Sequence, residues 1–489
     1  MTAARPALAL GALAALLLST GCMVGPKYRK PDPPLTPAFK EPLPEGWKQA
    51  DPSDGHIRGK WWEMYNDPQL GALEERVAIS NQNVLAFEAQ YRDARAAVRV
   101  ARAGLFPTVS AAPSITQSRN SGGLTSGGGV AASGMRTLYS FPADVSWEVD
   151  LWGRIRRGVS AAAAEAQATA ADLANATLSY QSALAQNWFS LHGIDGDIDL
   201  LTRTVQLYQD SLKLTHDRFA AGVVSDLDVA QAESQLESSR AQLINLGVAR
   251  AQFEHAIAVL TGKPPAAVNI GAMALQAGPP QVPVAVPSAL LERRPDIAAE
   301  ERLVAAANEQ IGVVKAAYFP TVSLSGSAGF QSSSITTWLS WPSRFFSLGP
   351  TIAETVFDAG KRRATGAQFQ AAYDATVAEY RQTVLTAFQQ VEDALAAERI
   401  LAEQSIPVDR SVQSAQRALD LSTAQYKAGT TDYLTVITAQ STLLTAQRTQ
   451  VDLLTSRLTA SVQLVVSLGG GWDVALLPSP HDVRTGPLK

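Results

Sequence analysis

Cysteine is almost missing from this chain: Cys22 is the single one among 489 residues, which excludes an intramolecular disulfide and a cysteine metal cluster. Histidine is scarce as well, and His56, His192, His216, His255 and His481 stand too far apart for the spacing of zinc ligands. No basic surplus exists. Lys and Arg number 41 against 45 Asp and Glu, for a net charge of −4, so a surface that neutralises phosphates is not expected and nucleic acid is excluded as a partner. The glycines Gly122, Gly123, Gly127, Gly128 and Gly129 lack the Lys-Ser/Thr of a phosphate loop and read as a flexible turn. Glu148 and Asp150 fall on the polar side of a strand, where a hydrated face explains them better than acid–base chemistry. No cofactor is expected, and the chain reads as something other than an enzyme.

What is present begins at the N-terminus. Arg5 precedes an apolar run from Ala7 to Leu18, followed by Ser19, Thr20, Gly21 and Cys22, the layout of an export signal. The run of about a dozen residues is shorter than the roughly 20 that a spanning helix needs, so cleavage is expected. Gly21-Cys22 is similar to a bacterial lipobox, which implies a lipidated Cys22, and Met23 in place of Asp favours sorting to the outer membrane. Pro26, Pro31, Pro33, Pro34, Pro37, Pro42 and Pro44 then disfavour helix and sheet, leaving a tether or a surface-hugging strap.

The mature chain repeats itself. Residues 103–110, Ala-Gly-Leu-Phe-Pro-Thr-Val-Ser, are echoed at 316–323 by Ala-Ala-Tyr-Phe-Pro-Thr-Val-Ser. Asp150-Leu151-Trp152-Gly153-Arg154 is answered by Phe357-Asp358-Ala359-Gly360-Lys361, and Arg218-Phe219-Ala220-Ala221-Gly222 by Gln425-Tyr426-Lys427-Ala428-Gly429. One structural unit therefore occurs twice. The expected division is a signal peptide at 1–21, a tether at 22–66, a first repeat at 67–262, a linker at 263–287, a second repeat at 288–468 and a tail at 469–489.

Each repeat reads as helix, two strands and a long helical hairpin. The opening helices are expected from Pro68 to Gly104 and from Ser288 to Tyr318, each ending before a proline. Strands are expected at 106–117, 138–151, 320–331 and 346–357, and helical hairpins at 159–260 and 360–468. Phe141, Ala143, Val145, Trp147 and Val149 alternate with Asp144, Ser146, Glu148 and Asp150, a period of two with one apolar and one polar face. Such strands suit a surface between lipid and water. Four are too few to close a membrane barrel, which takes about eight, and an open edge in hydrocarbon costs several kcal/mol per unpaired amide. Other copies of the chain must supply the rest.

In the long helices an apolar residue recurs every seven positions: Leu184, Leu191, Ile198, Val205, Leu212 and Phe219, and again Ile437, Leu444, Val451, Leu458 and Val465. A repeat of seven means left-handed coiling against a neighbour. Sixty residues of helix reach about 90 Å, far from any membrane. Gly193, Gly196 and Pro407 are expected to bend or break the outgoing helices, since an interior proline costs around 3 kcal/mol. Gln181, Gln186, Gln389, Gln390, Gln440 and Gln447 suit either a wet bore or a solvated outer surface.

With the repeated Phe-Pro-Thr-Val-Ser, the run Ser146 to Arg154 and the stretch Leu290-Leu291-Glu292-Arg293-Arg294-Pro295-Asp296-Ile297, the sequence resembles the TolC-type outer-membrane factors. Within them it is similar to the lipoprotein branch serving resistance-nodulation-division pumps, over Trp61 to Leu468. The resemblance implies a mostly α, α+β fold: a homotrimer whose four strands per chain make a twelve-stranded transmembrane β-barrel continued by a periplasmic α-barrel of coiled helices. It implies an outer-membrane conduit for small molecules, working with a periplasmic adaptor and an inner-membrane pump. It also places the turns at Gly222 and Gly429 at the inner end, so that Gly222, Asp226, Asp228, Gly429, Thr431 and Asp432 mark the adaptor contact, and Asp228, Thr435 and Thr438 a candidate gate. Thr435 and Thr438 stand where other members carry acids, and a hydroxyl ring does not bind cations as carboxylates do. Capping alone also accounts for these turn residues. Two rival functions remain: a conduit for protein secretion, and an envelope tether without a channel.

Overall fold

The computed structural model describes residues 23–42, 59–119, 135–275, 277–282 and 290–486. Cys22, Pro44, Ser288 and the glycine-rich turn at 121–133 lie outside the described residues. The helices are α1 (Pro68–Ser80), α2 (Gln82–Ala103), α3 (Arg154–Ala220), α4 (Asp226–Leu260), α5 (Leu290–Arg293), α6 (Pro295–Ala316), α7 (Lys361–Ala428), α8 (Tyr433–Ser467) and α9 (Pro480–Thr485). The strands are β1 (Thr108–Ala111), β2 (Ser114–Arg119), β3 (Met135–Glu148), β4 (Thr321–Ser332) and β5 (Arg344–Ala353).

The opening helices are each divided, where the sequence suggested one piece. Asn81 takes an extended conformation between α1 and α2, and its side chain accepts from the amides of Asn83 and Val84, so it caps the second helix. In the second repeat Arg294 is extended and Pro295 opens α6, the first-turn position where a missing amide costs nothing.

The sheet runs β1-β3-β4-β5, with β2 also paired to β3, and every pairing is antiparallel. β1 and β2 are one strand in two pieces. Thr108 stands opposite Ser146 and Ser114 opposite Ser140, one unshifted register, with the ladder interrupted at Ala112 and Pro113, where proline has no amide to give. The sheet is thus four strands wide with two open edges. The last strand ends at Ala353 rather than 357, and Val356 and Phe357 lie beyond it, exposed.

The two faces differ in chemistry. Phe141, Ala143, Val145 and Trp147 stand opposite Phe330, Ala328, Gly326 and Leu324, and Ala328, Gly326 and Leu324 stand opposite Phe346, Leu348 and Pro350. On the other side Ser140, Asp144, Ser146 and Glu148 face Gln331, Ser327, Ser325 and Ser323. Phe346 is 86% exposed and Leu348 73% in the single chain; water makes such a surface costly and hydrocarbon does not.

Below the sheet each long helix starts the same way. Gly153 and Gly360 sit just before α3 and α7 with φ of 81° and 85°, a left-handed conformation that glycine adopts without strain. The Asp150 carboxylate accepts from the amides of Ile155 and Arg156, and that of Asp358 from the amides of Gly360 and Arg362. Asp150 therefore binds a helix N-terminus, and Glu148 forms a two-pronged ion pair with Arg154. Neither simply coats a hydrated wall, as their alternation had suggested.

α3 has 67 residues and α7 has 68, about 100 Å each. Both run unbroken through Gly193, Gly196 and Pro407, contrary to the expected interruptions. At Gly193 a Cβ would collide with Thr455 Oγ1, and at Gly196 it would come within 3.2 Å of Val451: the glycines let α8 approach α3 closely. Tertiary packing of this kind outweighs a local propensity loss of about 1 kcal/mol.

The main core lies midway along the hairpins, around Trp188, Leu184, Leu191, Tyr380, Val391 and Leu464. Beside it is a buried polar junction. Asp195 accepts from His192 Nδ1, Arg250 Nε and the Met273 amide, and Arg250 also donates to the Ile270 carbonyl, fastening the inter-repeat segment to the first hairpin. Burial alone would push the Asp195 carboxyl up, but these donors hold it below the ordinary range. The C-terminal residues are not a loose tail: Val483 of α9 is buried against Val98, Ala163 and Ala166.

The N-terminal segment lies along the protein as a strap. The Val24 amide donates to the Trp152 carbonyl beneath the sheet, the Tyr28 hydroxyl to Glu301, and the amides of Lys40 and Glu41 to the Glu392 carboxylate on α7.

Candidate functional site

The ends of the two helical hairpins farthest from the sheet come together and carry every turn residue singled out in the sequence. α3 stops at Ala220, and Gly222 turns the chain with a φ of 75°. Ser225 then starts α4 with a capping box: the Asp228 carboxylate accepts from the amide and hydroxyl of Ser225, both at 2.9 Å. Asp226, in the same first turn, is exposed.

The second turn is built alike from different residues. Gly429 has the same φ of 75° and closes α7, with the Thr430 amide bonded to the Gln425 carbonyl at 3.0 Å, a helix stop that needs φ > 0. Asp432 caps α8, accepting from the Thr435 amide at 3.0 Å and its hydroxyl at 2.6 Å. Those two donors hold the exposed Asp432 carboxyl below the ordinary range. Thr438 donates to the Leu434 carbonyl at 2.8 Å, and Thr431 lies half-buried in the turn. In the single chain, then, Asp228, Asp432, Thr435 and Thr438 are engaged with their own helices.

The residues that join the turns escaped sequence reading. The Arg218 guanidinium on α3 donates to the Tyr426 carbonyl on α7 and lies over the Tyr426 ring. Tyr426 in turn contacts Tyr433, with ring centres 5.2 Å apart, and both are buried with Ala232 and Val436. Tyr426 is the repeat partner of Phe219, yet Phe219 is 43% exposed and Tyr426 4%. The only signal in the sequence was that inequality of ring chemistry at matched positions. On these two turns Val223, Leu227 and Leu434 are exposed.

A sheet with one apolar and one polar face and two unpaired edges, continued by helices about three bilayer cores long, defines a subunit of a membrane β-barrel channel with a helical extension. The chain belongs to the outer membrane efflux protein family, whose pattern it matches over residues 73–263 and 286–470. It is 31% identical over 456 residues to the probable efflux pump outer membrane protein TtgC of Pseudomonas putida, covering 92% of this chain and 93% of that one. It is 30% identical over 478 residues to the outer membrane protein OprJ of Pseudomonas aeruginosa, covering 96% and 97%. Among solved structures it is similar to the outer-membrane channel OprN, with a TM-score of 0.85 and 31% identity over 92% of this chain and 100% of that one. The open-state MtrE channel of Neisseria gonorrhoeae shares the fold, with a TM-score of 0.79 at 23% identity over 93% and 99%.

Proposed function

We infer that this chain is the outer-membrane channel subunit of a tripartite efflux system, a passive conduit for small molecules out of the cell. The observation that carries this reading is the amphipathic sheet with two open edges, which satisfies its backbone in lipid only when copies join edge to edge. Three copies, each four strands wide, make a twelve-stranded barrel, within the range of known membrane barrels. The polar row of Ser140, Asp144 and Ser146 then lines a hydrated bore, and the helical hairpins extend into the periplasm. Relatives named for antibiotic and toluene efflux support small organic toxicants as the cargo.

The paired turns form the inner end. A periplasmic adaptor docks there on Val223, Leu227 and Leu434 beside Gly222, Asp226, Gly429, Thr431 and Asp432, and hands over cargo from an inner-membrane resistance-nodulation-division pump. Three copies of Asp228, Thr435 and Thr438 form the gate ring, where Asp228 supplies the charge. Cys22, one residue before the strap, carries the lipid that adds a second hold on the outer membrane.

The test is reconstitution of the purified mature protein. Three-chain assemblies that conduct in discrete steps across a planar bilayer are expected. A stable monomer without strand content, or a trimer that never conducts, overturns the reading.

A further inference from the structure

We propose that the turn between β4 and β5, together with Arg344, is a binding site for phosphorylated lipid in the outer leaflet of the outer membrane. This rests on the channel reading, which puts the helices in the periplasm and so the opposite end of the sheet, where this turn lies, at the cell surface.

The turn is folded rather than loose. Thr337 holds it closed: its hydroxyl pairs with Ser332 Oγ at 2.8 Å, and its carbonyl accepts from the hydroxyls of Ser340 and Ser343, each at 2.7 Å. Polar groups are thereby used internally, while Ile335 and Leu339 are each 63% exposed and Trp341 is 72% exposed. Large apolar side chains exposed on a turn whose hydroxyls bond one another suit an interfacial surrounding better than water.

Its direction is set by two aromatic contacts. The Trp341 ring lies 4.0 Å from the Arg344 guanidinium carbon, and the Trp338 ring is 5.6 Å from that of Tyr139. Arg344 stands opposite Phe330 in the ladder, and Tyr139 is two residues from Phe141, so both belong to the apolar face. The turn leans over the lipid side of the sheet and not over the pore. Tryptophans at this level match the aromatic girdle that barrels place among headgroups.

Arg344 brings the charge. No carboxylate among the described residues pairs with it, and its guanidinium lies over the Trp341 ring. Arg119, opposite Met135 near the outer end of the other edge, lies on the same face by the period of two and likewise has no carboxylate partner among the described residues. When copies close a ring, the β5 edge of one meets the β1–β2 edge of the next, so each seam carries both cations. Guanidinium groups at headgroup height beside exposed indole and aliphatic side chains match a lipid that joins phosphate to acyl chains.

The experiment uses the intact trimer and the double variant Arg344→Gln, Arg119→Gln, which removes the two charges and keeps every apolar side chain of that face. Each is offered lipid A and dephosphorylated lipid A, and retained lipid is read by native mass spectrometry. The wild type is expected to prefer the phosphorylated form. The double variant is expected to lose that preference, at about fivefold per arginine removed, and Trp341→Ala to weaken both lipids. Equal retention of the two lipids by wild type, or an unchanged preference in the double variant, overturns the proposal and leaves the turn as a surface for a soluble partner. Planar-bilayer conductance separates the two levels. A conducting wild type without phosphate preference loses the lipid site alone, whereas a wild type that neither trimerises nor conducts loses the channel reading with it.

Discussion

The Arg218 guanidinium carbon lies 4.6 Å from the centre of the Tyr426 ring, and its Nη1 donates a 2.6 Å hydrogen bond to the Tyr426 carbonyl oxygen. One residue thus caps the end of the other repeat's helix and covers its aromatic side chain. Arg218→Ala removes a charged hydrogen bond and a cation–π contact, together about 2–3 kcal/mol. Amide exchange in the turns at 219–224 and 427–431 is expected to accelerate, and closed-state conductance to rise. Unchanged exchange in both turns would show that the contact holds nothing together.

The turn acids give a second prediction with a defined sign. The Asp432 carboxyl is depressed by the Thr435 hydroxyl and amide, so its contribution is present above the ordinary carboxylate range and is lost as pH falls through the depressed value. Acidification below the ordinary carboxylate range should loosen the second turn in wild type, and Thr435→Val should shift that transition upward. For Asp228 the tests differ by role. If capping is its whole role, Asp228→Ala lowers stability by about 1 kcal/mol and leaves conductance and its cation sensitivity untouched, a result that ends the gate assignment.

Gly193 reverses the usual helix rule. Alanine is the better helix former by about 1 kcal/mol, yet a Cβ there meets Thr455 on α8. Gly193→Ala is expected to destabilise the protein by about 1–3 kcal/mol, and pairing it with Thr455→Ala to restore most of the loss. A melting temperature raised by the single change would remove close packing as the reason for the glycine.

Glu74 is fully buried on α1, and neither carboxyl oxygen has a partner among the described residues. Burial pushes its pKa from 4.5 up to about 9. A raised folded value means that stability is full below the unfolded value and falls as pH rises toward 9, because only the unfolded chain releases the proton freely. Glu74→Gln should therefore match wild type near pH 4.5 and exceed it at pH 8 by roughly 4–5 kcal/mol. Parallel pH profiles of the two melting temperatures would contradict this.

The strap begins at Met23, which packs against Gly153 just before the first long helix, and lipidation is proposed one position earlier in the sequence, at Cys22. Cys22→Ser is expected to abolish incorporation of radioactive palmitate while trimers still form, since Tyr28, Lys40 and Glu41 hold the strap without it. Undiminished labelling would reject lipidation at this position.

Much of the architecture was legible in the chain because it is periodic. The alternation at Phe141 to Trp147 located β3 and its two faces, and the heptads located a seam that is buried at Leu184, Leu191 and Val205, half-buried at Ile198 and Leu212, and open at Phe219. Breaks were legible poorly. Pro407 and Gly193 looked like interruptions and are not, whereas Asn81 and Arg294 looked helical and are not. Propensity is a local quantity of about 1 kcal/mol per glycine, and contacts hundreds of residues away in the chain overrule it.

Period, repeat and composition were enough to establish two copies of a strand-and-hairpin unit and strands too few to seal themselves, because these follow from which side chains recur at two, seven and some two hundred residues. Only the tertiary structure decided that Arg218 meets Tyr426, that Asp150 serves a helix N-terminus, and that the outer turn leans toward Arg344. Those pairings depend on how rigid elements lie against one another, and no spacing along the chain encodes that distance.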